Sequence, residues 1–289
     1  MTMPELQFFK TLWGHEGSFA QACERAVAAG FAGIEGPAPA DRAQADQWRE
    51  LLRRHDLRYI AEITTAGSYV PQRDATLTQH LDDLAAKLRA SVYLEPEFVT
   101  CLGGCDAWPE SQSRAFFEGA MTLADEYAVT ISFETHRGRS LFTPWVTERL
   151  CQELPEMKLT CDFSHWCVVC ERLFDAELEG LRRVFDQAFH IHARVGYDQG
   201  AQVADPASPL YAQALSQHEL WWQRIWKRKL ANDEVVTMTP EFGPDGYQAV
   251  NPVTGGPIGD LWAMNFWLAG RQRHRFEQFV SQAGFRNAG

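Results

Sequence analysis

Eight short apolar runs, each followed by a longer stretch with helical spacing, constrain this 289-residue chain more than any other feature. The runs fall at residues 6–12, 31–35, 57–63, 98–102, 129–133, 157–162, 188–192 and 235–240. Their β-branched and aromatic content and their length suit buried strands. Between them, residues 18–29 read as a helix capped by Ser18 and stopped by Gly30. Helices are also predicted over 41–55, 74–90, 110–127 and 174–185, and one opening at Thr143-Pro144, where proline suits the first helical position. A long loop is predicted over 196–216, then a Trp-rich helix, and a closing helix over 259–283. Eight such βα units predict an α/β chain folded as one (β/α)8 barrel domain over residues 1–289. A doubly wound open sheet is the alternative, but no Gly-rich nucleotide fingerprint follows the first run.

A net charge of −11 disfavours nucleic acid as a partner, since phosphate binding needs clustered Lys and Arg. One basic run, residues 224–229, is read as the solvated side of an amphipathic helix. No segment has the ~18 apolar residues of a membrane span. The first residues lack a signal-peptide plan, and seven cysteines, an odd number, suit a reducing cytoplasm. Cys167 and Cys170, like Cys101 and Cys105, are read as structural thiols, because a lone Cys-x-x-Cys is weak evidence for a metal or redox site.

Four consecutive runs end in ligand-type side chains. The stretch Leu159-Thr-Cys-Asp-Phe-Ser-His-Trp166 delivers Asp162 and His165; the fifth run delivers Glu134 and His136, the seventh His192 and Arg194, the eighth Glu241. In a barrel, these strand ends converge on the face where active sites lie. His190 and His192 are read as facing opposite ways, so that only one enters the mouth. Trp13, His15 and Glu62, at the ends of earlier strands, are candidate pocket walls; Trp145, Trp166 and Trp262 are weighed as packing residues first.

The set Phe-Glu134-Thr-His136, Asp162-Phe-Ser-His165, His190-Ile-His192 and Pro-Glu241-Phe-Gly resembles the xylose isomerase-like sugar phosphate isomerase/epimerase family. Gly30-Phe-Ala-Gly-Ile-Glu35 matches its second-strand signature. The resemblance implies a TIM barrel with one divalent ion, Mn, Mg, Co or Zn, on Glu134, Asp162, His192 and Glu241. It also implies that Glu134 and Glu241 act as the catalytic acid/base pair and that His165 contacts a substrate oxygen. The loop after His192 and the segment 135–139 depart from the epimerase pattern, and both sit where substrate would lie.

Three carboxylates and an imidazole favour oxygen-preferring divalent ions over a thiolate zinc site. Such an ion chelates a hydroxy-carbonyl compound while a carboxylate removes the adjacent proton, which gives isomerisation or epimerisation of a small sugar-like substrate. His136, Arg137 and Arg194 are candidate substrate contacts, arginine suiting a carboxylate or phosphate. A dehydratase of inosose or shikimate type, a DNA-repair endonuclease and a non-catalytic sugar-binding barrel are the competing readings. The endonuclease needs more histidines and a basic groove. The aromatic helix at Trp221, Trp222 and Trp226 has surface to bury either on the barrel or in a homodimer.

Overall fold

The computed structural model describes residues 4–282. Eight parallel strands close into a barrel in sequence order: β1 (Leu6–Thr11), β2 (Gly33–Gly36), β3 (Arg58–Thr64), β4 (Phe98–Leu102), β5 (Ile131–Glu134), β6 (Leu159–Cys161), β7 (Ala188–Ala193) and β8 (Val236–Pro240). β8 pairs back on β1, Met238 opposite Phe8, so no sheet edge is left open. Neighbouring strands press closely: a Cβ at Gly33 would lie 2.3 Å from the Arg58 carbonyl oxygen, which accounts for glycine there.

The helices are α1 (Phe19–Ala28), α2 (Arg42–His55), α3 (Leu77–Ser91), α4 (Glu110–Glu126), α5 (Pro144–Glu153), α6 (Ser164–Val169), α7 (Arg182–Asp186), α8 (Ala212–Ala231) and α9 (Leu261–Gln282). Ser18 and Thr76 start α1 and α3 with capping boxes closed by Gln21 and Gln79, and Thr143 caps α5 ahead of Pro144. Buried side chains of the helices and the outer strand faces form one continuous core. A smaller cluster, Phe9, Ile60 and Phe98, sits apart from it and touches the ring of His190.

Four expectations need correction. The helix expected over 174–185 shrinks to α7, because Asp175 turns its carboxylate onto the Glu177 and Leu178 amides and Gly180 adopts a φ of +71°. The loop expected over 196–216 ends earlier: Ser208 and Pro209 start a 3-10 turn that runs into α8 at Ala212. The basic run is only partly solvated, since Lys229 is buried and donates to the Phe189 carbonyl at 2.5 Å, and Arg228 reaches Ala188. The histidines do not face apart. Residues two apart in a strand share a face, and His190 and His192 both point at Glu35.

The closing helix expected over 259–283 begins at Leu261, and Ala283 lies outside the described residues. Trp221, Trp222 and Trp226 are buried in the core of the chain itself. No helix among the described residues is long and apolar enough to cross a membrane.

Candidate active site

At the carboxyl ends of the strands the chain places its carboxylates around one imidazole. Glu35 of β2 is fully buried and accepts from His192 at 2.9 Å, from His190 at 3.3 Å and from the Thr239 hydroxyl. Burial alone would raise the Glu35 carboxyl, but the charges and hydrogen bonds of His192 and His190 hold it well below the ordinary range. As a carboxylate it can only accept, so the His192 Nε2 carries a hydrogen and Nδ1 faces the other way. There Nδ1 lies 3.1 Å from Glu241 Oε2 and 3.6 Å from Glu134 Oε2. Burial would lower the His192 imidazole, but the charges of Glu241, Glu35 and Glu134 raise it well above its usual range, so in the chain alone it ion-pairs with Glu241. Among the described residues neither Nδ1 nor Glu241 Oε2 makes a hydrogen bond, although both are buried.

The backbone carrying these side chains is pinned. Just beyond β8, Asn265 brackets Phe242, accepting from its amide at 2.7 Å and donating to its carbonyl at 2.9 Å. Gln202 does the same for Gly243, at 3.0 and 3.1 Å. Between β5 and β6 the Thr135 hydroxyl accepts from the Asp162 amide and donates to its carbonyl, both at 2.8 Å. Six hydrogen bonds thus hold the exits that present Glu241 and Asp162.

Asp162 itself is turned from the trio. Its Oδ1 accepts from the Ser164 amide at 2.9 Å and hydroxyl at 2.5 Å, and its Oδ2 pairs with Arg194. Arg194 also donates from Nε to Ser164 at 3.1 Å and from Nη2 to His165 Nε2 at 2.6 Å. His165 must therefore carry its hydrogen on Nδ1, a buried donor without a partner. The His136 Nδ1 donates to the Arg137 carbonyl at 2.5 Å, which leaves Nε2 as an acceptor 3.5 Å from the Tyr247 hydroxyl. Burial, then neighbouring positive charge, keeps both imidazoles far below their usual pKa, so they are neutral.

Trp13, Tyr69 and Tyr247 wall this space, together with Glu62 and Leu102, and the cavity left between them is about 10 Å³. Trp13 lies so close over Gly243 that a Cβ there would meet its ring at 2.1 Å. Burial, then the charges of Glu241, Glu134 and Glu35, pushes the Glu62 carboxyl up to about 8. Burial likewise pushes Glu134 up to about 7 against the pull of His192.

Of the side chains expected from the sequence, Glu134, His192 and Glu241 come together, with Glu62, His136, His165, Arg194 and Trp13 around them. Arg137 sits at the rim, against the face of Tyr247. His15 turns away, its Nε2 meeting the Ser18 carbonyl at 3.1 Å. Trp166 is core, donating to the Leu141 carbonyl; Trp145 bonds Glu179, and Trp262 packs over Lys10. None of the candidate ion-holding groups among the described residues includes a cysteine. Glu35, which bonds His192, and Tyr69 and Tyr247, which line the cavity, were left out of the site by the sequence reading. Glu35 was visible as the acid ending the second strand; the tyrosines sit on loops without a pattern.

Residues 23–207 match the family model described as xylose isomerase-like TIM barrel. The chain belongs to this family. Its fold is shared with L-ribulose 3-epimerase, at a TM-score of 0.65, 15% identity and 98% of each chain covered. Endonuclease IV from Thermus thermophilus aligns with a TM-score of 0.55 and 16% identity, over 96% of this chain and all of the other. The probable 3-DHS dehydratase from Bacillus anthracis aligns with a TM-score of 0.55 and 13% identity, over 92% of this chain and all of the other. Among curated proteins none matches. Epimerase, nuclease and dehydratase share this barrel at similar distance, so the likeness is one of fold, and the reaction has to be argued from the side chains.

Proposed function

We propose that this family member is a divalent-metal-dependent isomerase or epimerase of a small hydroxy-carbonyl compound. The observation that carries it is the convergence of Glu241 and Glu134 on His192 Nδ1, at 3.1 and 3.6 Å, in a buried site where neither Nδ1 nor Glu241 Oε2 makes a hydrogen bond. Buried polar atoms normally have partners, and a cation between these three side chains satisfies all of them at once. Two carboxylates and an imidazole fit Mn, Mg, Co or Zn. Asp162 completes a four-ligand set in the family pattern; here Arg194 and Ser164 occupy its oxygens, so we assign the ion to Glu134, His192 and Glu241.

A bound ion would polarise the substrate carbonyl. The chain supplies the proton transfers. Glu134 is placed to take a proton from the carbon next to the carbonyl; burial raises its carboxyl in the metal-free chain, and a bound cation would draw it back toward the carboxylate a base needs. For epimerisation Glu241, entering the cycle protonated, would give its own proton to the other face while Glu134 keeps the one it took. For isomerisation Glu134 would return its proton to the neighbouring carbon. The His165 Nδ1–H offers a donor to a substrate oxygen, and His136 Nε2 accepts from a hydroxyl. Trp13, Tyr69 and Tyr247 keep bulk water from the reacting carbon.

Dehydration is the second reading, and Glu62 is the observation behind it. Burial, then the charges of Glu241, Glu134 and Glu35, raises this third carboxyl in the metal-free chain, and its place in the cavity wall would let it give a proton to a departing hydroxyl.

Metal analysis of the purified protein, followed by a screen of ketoses, sugar acids and inososes for deuterium uptake from solvent, tests both. The isomerase reading expects about one ion per chain and exchange at the carbon beside the carbonyl, lost by ~100-fold or more in Glu134→Gln and Glu241→Gln. A new carbon–carbon double bond in the product selects dehydration. A reconstituted protein that holds no ion sinks both.

A further inference from the structure

We infer that the substrate of this site carries a carboxylate, recognised between Arg194 and Arg137. The inference rests on the proposed reading and narrows its substrate class.

Both guanidiniums pack on one ring, Arg194 at 4.7 Å and Arg137 at 4.8 Å from the Tyr247 centroid. By those two distances the cations lie within 9.5 Å of each other. Only one of them is neutralised. Arg194 has Asp162, but the Arg137 side chain makes no ion pair or hydrogen bond among the described residues. Arg137 is half-exposed and free to meet an anion beside the second arginine.

The donor inventory points the same way. Arg194 uses Nε and Nη2 on Ser164, Asp162 and His165, which leaves Nη1 with two N–H groups unengaged. The ring of Trp13, 5.4 Å from the guanidinium, holds it on the cavity side. His165 adds a buried Nδ1–H that nothing accepts. Unengaged donors thus gather beside Tyr247, next to the carboxylates Glu134 and Glu241 around His192, with Arg194 Nη2 4.0 Å from Glu241. A planar carboxylate matches a guanidinium fork. The substrate then lies with its hydroxy-carbonyl end at the glutamates and its acid end at the arginines.

The test uses matched pairs that differ by one charge and keep the ketone: hydroxyacetone against hydroxypyruvate, and D-fructose against D-fructuronate. Binding to the metal-replete protein is followed by calorimetry. The acid of each pair should bind at least ~10-fold tighter than its neutral partner, a charge-assisted contact being worth that or more. Arg137→Gln should bring the acid down to its neutral partner and leave the neutral ligand unchanged, and Arg137→Lys should recover part of the difference. Added salt should narrow the gap in wild type. Neutral ligands that bind as well as the acids, acids indifferent to Arg137→Gln, or no binding by either acid overturns the inference. Metal content of the same samples separates the two levels: a metal-replete protein that prefers the neutral ketone keeps the proposed function and loses only the carboxylate.

Discussion

Glu35 Oε1 and His192 Nε2 meet at 2.9 Å on the floor of the site, and this contact decides which ring nitrogen looks up at Glu134 and Glu241. A carboxylate behind a metal-binding histidine fixes its tautomer and strengthens it as a ligand. Glu35→Ala should therefore weaken divalent-ion affinity by ~10–100-fold, and Glu35→Gln, whose carbonyl still accepts from Nε2, should lose less. Competition against a chelator with a metal-sensing dye reads both. Wild-type affinity in the alanine variant would remove Glu35 from the ion's support.

Asp162 offers a sharp contrast with His192. Since Arg194 and Ser164 occupy its oxygens, Asp162→Asn should keep the ion, whereas His192→Ala and Glu241→Gln should lose it. Elemental analysis of the three variants decides. Ion loss in Asp162→Asn equal to that in His192→Ala would put Asp162 back among the ligands.

Glu62 gives the metal-free protein a pH dependence of known sign. Its carboxyl moves from the ordinary 4.5 to about 8 in the folded chain, through burial first and then the nearby glutamates. The folded state thus holds this proton more tightly than the unfolded one. That contribution to stability is whole below pH 4.5 and is lost as the pH climbs through about 8. Thermal unfolding in chelator should show the wild-type melting temperature falling over that window relative to Glu62→Gln, with the variant more stable at the alkaline end. Parallel curves would mean that Glu62 is ionised throughout.

Arg139 is a buried guanidinium with no acid beside it. It donates to the carbonyls of Thr65 at 2.7 Å, Tyr69 at 3.0 Å, Gly104 at 3.3 Å and Ser68. It thereby ties the loop after β3, with the wall residue Tyr69, to the exits of β4 and β5. Arg139→Met strands four carbonyls and should cost roughly 3–5 kcal/mol. Denaturant unfolding measures the loss, and faster amide exchange confined to residues 65–70 would locate it in that loop.

The barrel was legible because its signal repeats: eight buried runs of similar length leave few topologies, and four ending in acids or histidines mark one face. The trio Glu134, His192 and Glu241 follows from that regularity. What the chain hid is irregular or depends on partners. Asp162 reads as a ligand in the sequence, and its pairing with Arg194, 32 positions away, is visible only in the fold. Glu35 lies 157 positions from His192, and only closure of the barrel brings the two together. Tyr247 stands on the arm between β8 and α9, where no hydrophobic period exists to place it. The short α6 likewise follows Asp162 without a cap, and it is what carries His165 and buries Trp166.

The tight walls around the site also bear on its kinetics. A cavity of about 10 Å³ holds little more than one water molecule, so no sugar-sized compound enters past Trp13, Tyr69 and Tyr247 as they stand. Trp13 rests on Gly243 and bonds Asp245, and Tyr69 rides on the loop stapled by Arg139, while Tyr247 stands on the arm between β8 and α9. On the proposed function, one of these walls would have to open before each turnover. Where that opening is slower than proton transfer at the glutamates, turnover should slow in viscous solvent.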